Sequence, residues 1–366
     1  MTQMVYGHTF LVHRPVPVLA GEHMNLIVIN NPADLPWQTN LCDLMLLTMF
    51  SAAVAYSFVQ LRRGRRIYSA VLIAATIYGL VLELAGMATL NMYQQGDFML
   101  MINWPVLPLW RGTTMMPAYV VIFYPVFLFT GFKVVEALGI EKRWQAAVTG
   151  GLFMIALDAP YIIEGNLRHV VWWTWDPNFK FFQYWVGWPL LDLCWQGIWD
   201  AVFIYIMLRA LPRIDVAVSN GAARWSNANA LGAFPALAAL AVLMLGPILI
   251  SPVVIVTALG GPQWPIVMLL VAAYTAVAVT ALHSARPHTP PEGITAGIIF
   301  VYVANLGAMV VANVAHEGGI TPYIVVQTAG LIIVSGVALF PHIAARRRPA
   351  AVPREQATRT PPSTVS

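Results

Sequence analysis

The sequence predicts an all-α fold, a polytopic membrane helix bundle of about nine transmembrane helices, and three observations support it. Hydrophobic residues make up 59% of the chain, with a mean hydropathy of +0.69, far above the apolar share of a soluble domain. Apolar runs of about 20 residues, the length that crosses a bilayer as a helix, recur along the chain. Basic residues cluster in short segments between these runs, as expected for cytoplasmic loops.

The apolar runs predict nine spans. These are 41–61, 67–92, 116–138, 146–165, 186–208, 231–256, 264–283, 294–314 and 320–340. The first span ends in the basic run Arg62–Arg66, so this end is expected to be cytoplasmic. Alternation of the spans then leaves few basic residues on the opposite side. They are Arg14, Arg111, Arg168 and Lys180. The sequence therefore predicts an N-out, C-in orientation in a bacterial cytoplasmic (inner) membrane.

Composition divides the chain into four predicted parts. Residues 1–40 form an extracytoplasmic N-terminal segment without the pattern of a cleaved signal peptide. Residues 41–215 form a five-helix half rich in acids and tryptophan, and residues 225–345 form a blander four-helix half. Residues 346–366 are rich in Pro, Arg and Thr and are expected to be a disordered cytoplasmic tail.

Several functional classes are excluded by what the sequence lacks. Its two cysteines form no CxxC motif, which excludes a disulfide scaffold and a cysteine metal site. The sequence has no histidine box, no Walker motif and no GxSxG motif. The basic residues sit in loops between spans, so the net charge of +4 does not indicate nucleic-acid binding. We therefore expect no metal and no cofactor, with membrane lipids as the surroundings.

The segment 158–200 is the main candidate for a functional site. It holds five of the 16 acids and seven of the 13 tryptophans, between two apolar runs. An ionisable side chain at mid-bilayer costs about 2.5–3.5 kcal/mol on insertion scales, and such residues commonly mark functional sites. Asp192, Gln196, Trp199 and Asp200 follow the spacing i, i+4, i+7 and i+8. That spacing places them on one helical face, which is expected to line a cavity.

The candidate residues fall into two groups. The candidate catalytic residues are Glu83, Asp158, Asp192 and Asp200. The candidate substrate-binding residues are Glu164, Trp173, Trp175, Trp188, Trp195, Gln196, Trp199 and Asn305. Each group has a structural alternative, because buried acids and amides can form hydrogen-bond networks between helices, and tryptophans concentrate at membrane interfaces. We expect the carboxyls of Glu83, Asp158 and Asp192 to share one cavity, within about 10 Å of one another.

Two short elements carry a resemblance to a known family. The first is Trp173-Thr174-Trp175, and the second is Gly-Trp-Pro-Leu-Leu-Asp-Leu-Cys-Trp at residues 187–195. Together with the preceding acids Glu83 and Asp158, they resemble the integral-membrane carotenoid hydratases, the bisanhydrobacterioruberin hydratase family. The resemblance covers roughly residues 80–210. This chain has Trp188 where the family has Val and Asp192 where it tends to have Asn, and its four C-terminal spans exceed the usual family length.

The resemblance implies water addition to a terminal double bond of a long apolar lipid or isoprenoid, a hydratase-type lyase reaction. Protonating an alkene needs a carboxylic acid, here Asp158 or Glu83, and adding water needs a second group such as Asp192 acting as base. Two acids in different environments can divide these roles. A related cyclisation, a proton-coupled transporter and a non-catalytic membrane scaffold are the alternatives. The sequence does not indicate an oligomeric state.

Overall fold

The structure, a computed structural model, describes residues 26–103, 115–215, 225–287 and 292–347. Over these residues nine helices are long and apolar enough to cross a membrane, which confirms the all-α bundle of a multi-pass membrane protein. They are α1 (Trp37–Arg62), α2 (Ile67–Leu84), α3 (Val120–Leu138), α4 (Arg143–Asn166), α5 (Leu190–Ile214), α6 (Phe234–Ala258), α7 (Trp264–His283), α8 (Gly293–His316) and α9 (Pro322–Arg347). Arg14, Arg111, Arg224, the first 25 residues and residues 348–366 lie outside the described residues.

Six predicted boundaries differ from the structure by four residues or more. α1 begins at Trp37 and not at 41, α5 ends at Ile214 and not at 208, and α9 continues to Arg347, past 340 and into the first two residues of the predicted tail.

The other three boundaries each have a local reason. The second span was expected to reach residue 92, but α2 ends at Leu84 and passes into a π-helical turn, Ala85–Thr89. The third and fifth spans were expected to begin at 116 and 186. Residue 116 lies in a short strand and residue 186 lies in the turn of a β-hairpin, so α3 and α5 each begin four residues later. Hydropathy alone does not separate an apolar strand from the first turn of a buried helix.

In the part of the chain that the structure describes, seven short strands form three antiparallel sheets at one end of the bundle. They are β1 (Ile27–Ile29), β2 (Tyr93–Gln95), β3 (Leu100–Asn103), β4 (Met115–Pro117), β5 (Trp173–Trp175), β6 (Tyr184–Trp185) and β7 (Trp188–Pro189). The sheet orders are β1-β3-β4, β2-β5 and β6-β7. Val186 and Gly187 join β6 to β7 with φ of 52° and 74°, the positive values of a two-residue type I′ hairpin turn. We call this end the tryptophan end, and the opposite end, where α1 ends at Arg62, the arginine end.

α4 is the central helix, because α3, α5, α7 and α9 all pack against it. It crosses α5 at Gly151 and Gly197. A Cβ built on Gly151 would lie 2.2 Å from the Gly197 carbonyl oxygen, so the two backbones approach as closely as small residues permit. Asp158 lies two turns after Gly151, and Asp192 less than two turns before Gly197. Because the helices are antiparallel, the crossing brings these two acids to similar depth.

The four C-terminal helices complete the bundle around the first five. α6 packs on α2 and α5, α7 and α9 pack on α4, and α8 packs on α1. Their outward faces carry large exposed apolar side chains such as Leu237, Leu269 and Phe300. Exposed apolar side chains on long apolar helices are the expected surface of a protein surrounded by lipid.

Candidate functional site

A cavity of about 450 Å³ lies in the tryptophan-end half of the bundle, lined by residues of α2 to α6 and by the strands β2 and β5. Its wall includes two carboxyl groups, Glu83 of α2 and Asp192 of α5, and two amides, Gln95 and Gln196. Among the described residues, the rest of the wall consists of ten aromatic residues and eleven aliphatic or small ones. It includes four of the predicted tryptophans, which are Trp173, Trp175, Trp195 and Trp199. A concave, largely apolar site with a few convergent polar groups is typical of a small-molecule binding site.

Glu83 is held by two tyrosines and an amide. The Tyr93 hydroxyl donates a hydrogen bond to Glu83 Oε2, and the Tyr124 hydroxyl donates to Oε1 at 2.7 Å. Gln95 Nε2 donates a longer bond of 3.4 Å to Oε2, and the Tyr119 hydroxyl donates to Gln95 Oε1 at 2.9 Å. Both oxygens of Glu83 therefore accept hydrogen bonds from neutral donors.

The local backbone explains why these tyrosines reach Glu83. A Cβ on Gly79 would lie 2.3 Å from Tyr124 Cδ2, so only glycine at this position lets the Tyr124 ring lie against α2. The π-helical turn Ala85–Thr89 directly after Glu83 leads the chain into β2, which carries Tyr93. Single π-helical turns are frequent at functional sites. Burial raises the pKa of the Tyr93 hydroxyl well above its ordinary value, and the neighbouring Glu83 raises it further. Tyr93 therefore stays a neutral donor.

Asp192 lies in the first turn of α5. The indole Nε1 of Trp188 donates a hydrogen bond to Asp192 Oδ2 at 2.7 Å, within the buried region where β7 leads into α5. The helix N-terminus also stabilises the carboxylate that remains when Asp192 gives up a proton. Trp188 is only 2% exposed and is not part of the cavity wall, so its contact with the site is through Asp192. Among the described residues, Asp192 accepts this one hydrogen bond.

Asp158 and Asp200 lie behind the cavity wall. Asp158 is fully buried, and neither of its oxygens has a hydrogen-bond partner among the described residues. It interacts electrostatically with Asp192, Asp200 and Glu83, so these carboxyls form one neighbourhood. Asp200 is also buried and interacts with Asp192 and Tyr78. The structure thus brings Glu83 and Asp192 into one cavity, as expected, but it does not bring Asp158 or Asp200 into the wall.

Glu164 belongs to a different cluster. Its Oε2 accepts hydrogen bonds from Asn313 Nδ2 of α8 at 2.6 Å and from Gln327 Nε2 of α9 at 2.8 Å. Glu164 is six residues after Asp158, which turns it to another side of α4, and there it joins α4 to the C-terminal helices. Asn305 is also away from the cavity, since its amide donates to the Val301 carbonyl of its own helix at 2.7 Å.

The interfacial interpretation of the tryptophans fits only some of them. Trp172 and Trp188 are buried in the core, and Trp173 is only 6% exposed. Trp185, in the β6–β7 hairpin, is 50% exposed and fits a membrane interface. Trp195 and Trp199 line the cavity with ring centroids 5.9 Å apart, so their faces are available to a ligand.

Two groups of residues were missed by the sequence interpretation. The first is the set of donors around Glu83, which are Tyr93, Gln95, Tyr119 and Tyr124. The pairing of β2 with β5 positions Tyr93 and Gln95, and no local sequence pattern predicts that pairing. The second is a buried ion pair, Lys133 with Glu136. Opposite charges at i and i+3 inside an apolar run are a signal that could have identified it.

No family model, curated protein or solved structure matches this chain. The resemblance to the carotenoid hydratases therefore stays a prediction based on short motifs. Within the described residues, no group of three or more His, Cys, Asp or Glu is arranged to hold a metal ion. The cavity wall supplies carboxyls, tyrosine hydroxyls, amides and aromatic faces.

Proposed function

We propose that this protein is a membrane enzyme that adds water to a carbon–carbon double bond of an isoprenoid-type lipid. The observation that carries the proposal is the shared cavity, in which carboxyls from two helices, Glu83 and Asp192, lie in a largely apolar wall that is rich in aromatic residues. Hydration of an alkene needs one group that donates a proton and one that accepts a proton from water. An apolar, aromatic wall suits a hydrocarbon substrate.

The hydrogen bonds suggest how the two carboxyls divide the work. Both oxygens of Glu83 accept phenol hydrogen bonds, an arrangement that suits a carboxylate acting as base. Asp192 has one oxygen bonded to Trp188 and its other oxygen without a partner among the described residues, so it can carry the proton. This assignment differs from the sequence expectation, in which Asp158 or Glu83 was the acid. The change follows from the position of Asp158 behind the wall.

The proposed reaction balances with water alone. Asp192 transfers its proton to one alkene carbon, and the π electrons form that C–H bond and leave a tertiary cation on the other carbon. The oxygen of a water molecule attacks the cation while Glu83 takes a proton from that water, and the product is a tertiary alcohol. A proton then returns from Glu83 to Asp192 through cavity water. The faces of Trp195 and Trp199 can stabilise the cation between the steps.

A second function, proton-coupled transport, is favoured by one observation. Asp158 is a fully buried carboxyl without a hydrogen-bond partner among the described residues, near three other acids. Buried carboxyl chains of this kind relay protons in transporters. A transporter would move its ligand across the membrane unchanged and would carry protons with it, whereas the hydratase changes the ligand.

Reconstitution separates these two functions. The purified protein is placed in liposomes with an acyclic isoprenoid olefin that ends in an isopropylidene group, and the lipids are extracted for mass spectrometry. A hydratase yields a product heavier by one water, without proton uptake by the vesicles. The variant Asp192→Asn should form almost none of this product. Asp97→Asn, at an exposed carboxyl of the tryptophan end, is its matched control and should form the product normally. Unchanged olefin together with olefin-dependent proton uptake would instead support transport.

We further propose that the protein lies in a bacterial cytoplasmic membrane with the cavity nearer the outer face. The proposal is supported by the basic residues at the arginine end, which include Arg62, Arg63 and Arg286. The two native cysteines are buried, so an introduced cysteine can be labelled selectively. A membrane-impermeant thiol reagent applied outside should label Asn178→Cys and spare Arg63→Cys. The reverse pattern would invert the proposed orientation.

A further inference from the structure

Several residues line the cavity and are also exposed on the outside of the bundle. Val81 of α2 is 37% exposed, and Leu90, just beyond the π-helical turn, is 54% exposed. Leu240 of α6 is 54% exposed, and Pro247 on the same helix is also exposed. All four are part of the cavity wall. The cavity therefore has a mouth between α2 and α6, on the side of the bundle.

The depth of this mouth decides what reaches it. At 1.5 Å per residue, Leu240 lies about 16 Å along the helical segment that starts at Asn229, and Val81 lies about 21 Å along α2 from Ile67. The hydrocarbon core of a bilayer is about 30 Å thick, so both residues lie well inside it. Every side chain at the mouth is apolar. The part of the mouth formed by Val81 and Leu240 thus faces lipid chains, while Leu90 lies nearer the tryptophan end.

Pro247 removes one backbone hydrogen bond from α6 at the mouth. Pro247 has no N–H to bond the Leu243 carbonyl one turn earlier, and its ring pushes that turn apart. The preceding residue is Gly246, where a Cβ would lie 2.3 Å from Trp199 Nε1. The Trp199 indole therefore packs against the backbone of α6 beside the opened turn. Because Trp199 also lines the cavity, it lies where the mouth meets the interior.

We propose that Val81, Leu90, Leu240, Leu243 and Pro247 form a lateral portal through which an apolar chain enters from the bilayer. The inference rests on the proposed hydratase function and specifies its substrate class. A cavity of about 450 Å³ is in the range that holds a drug-sized ligand. A longer isoprenoid therefore places one end at Glu83 and Asp192, while the rest of its chain occupies the portal and extends into the lipid.

The portal is tested by narrowing it on the lipid side. Leu240→Trp adds bulk at the mouth, and Met244→Trp adds the same bulk one turn further along α6. Met244 is 62% exposed and is not part of the cavity wall, so it is the matched control. In liposomes at limiting substrate, Leu240→Trp should lower turnover about tenfold, and Met244→Trp should leave it unchanged. Equal turnover by the two variants would overturn the portal.

A second measurement does not depend on turnover. A photo-reactive p-benzoylphenylalanine is placed at Leu240 or at Met244, alone and combined with Asp192→Asn, and the liposomes are irradiated with the isoprenoid olefin present. The portal predicts an olefin adduct at position 240 and only phospholipid adducts at 244, in both backgrounds. Equal olefin adducts at the two positions, or none at 240, would overturn it. Full turnover by Asp192→Asn would instead overturn the hydratase function and leave the adduct result standing.

Discussion

Carboxyl groups at the arginine end are paired with cations, whereas those around the cavity are not. Arg65 Nε donates to Asp215 Oδ2 at 2.5 Å, and Arg65 Nη2 donates to Glu136 Oε1 at 2.7 Å. Lys133 Nζ donates to Glu136 Oε2 at 2.7 Å and also contacts Glu292 at the start of α8. These contacts connect α3, α5 and α8 to the loop between α1 and α2. Burial lowers the pKa of Arg65, but Tyr68, Glu136 and Asp215 together raise it by more. The net result is a raised pKa, which keeps Arg65 charged.

The cavity half has carboxyls with neutral partners only. No ion pair within the part of the chain that the structure describes involves Glu83, Asp158, Asp192 or Asp200. The donors to Glu83 and Asp192 are phenols, an amide and an indole. A carboxylate paired with a guanidinium holds helices together but exchanges its proton poorly. Carboxyls without a cation can gain and lose protons, and this difference separates a structural cluster from a chemical one.

The largest expected effect is on activity at the cavity. Asp192→Asn and Glu83→Gln are nearly isosteric but can neither donate an acidic proton nor accept one from water. Product per folded molecule should fall by about 10²–10⁴-fold, the usual size of a general acid or base contribution. Protein abundance should stay near that of the parent chain. Loss of protein abundance with full activity per folded molecule would show that these carboxyls stabilise the fold and do not take part in the reaction.

The opposite outcome is expected at the arginine end. Arg65→Met leaves Asp215 and part of Glu136 buried without their cation, and breaking a buried pair in this way costs about 3–5 kcal/mol of stability. The melting temperature in detergent should fall, while product per folded molecule stays unchanged. Arg62→Met is the control, since Arg62 is exposed and its loss should cost less than about 1 kcal/mol. A catalytic defect in folded Arg65→Met would show that the ion pairs of the arginine end also affect the reaction in the cavity, contrary to this expectation.

A pair of leucine substitutions compares two buried aspartates directly. Asp158 has no hydrogen-bond partner among the described residues, so Asp158→Leu removes a costly buried polar group and should leave the melting temperature unchanged or higher. Asp215 accepts from Arg65 Nε and from the Ile67 amide. Asp215→Leu should therefore destabilise the protein by about 1–3 kcal/mol, because those donors lose their partner. Equal melting temperatures for the two variants would contradict the comparison.

Hydropathy was sufficient for the nine helices, because each long apolar run has only one way to satisfy its backbone in a bilayer. Helical spacing likewise placed Asp192, Gln196 and Trp199 on one face, and all three line the cavity. The same spacing failed for Asp200, which continues the stripe but lies behind the wall. Helical spacing fixes the direction in which a side chain leaves its own helix. Whether that side chain reaches the cavity also depends on how the neighbouring helices pack.

The partners of the acids could not be predicted in the same way. Glu164 and Asn313 are 149 positions apart in the chain and meet only because α8 packs beside α4. The Tyr93 bond to Glu83 depends on a two-stranded sheet of three residues per strand, which is too short to show alternation in sequence. Long-range packing and short strands are thus the two features that limited prediction of the site.

The smallest expected loss of activity is at the donors to Glu83. Tyr124→Phe removes one hydrogen bond of 2.7 Å to Oε1, and a bond to a charged group contributes about 1.5–3 kcal/mol. Glu83 keeps its bond from Tyr93, so activity should fall about tenfold, less than in Glu83→Gln. Tyr205→Phe, on the exposed side of α5, should not change activity. A Tyr124→Phe variant as inactive as Glu83→Gln would assign the proton transfer to the phenol.

The central claim is that the unpaired carboxyls of the cavity add water to an alkene, and an oxygen isotope tests it most directly. The reconstituted protein is supplied with the isoprenoid olefin in H₂¹⁸O, and the extracted lipids are analysed by mass spectrometry. We expect ¹⁸O in a tertiary alcohol made by the parent chain and by Arg65→Met, and almost none with Asp192→Asn or Glu83→Gln. Recovery of only unreacted olefin with the parent chain, or equal ¹⁸O labelling of the alcohol with all four proteins, would contradict this expectation.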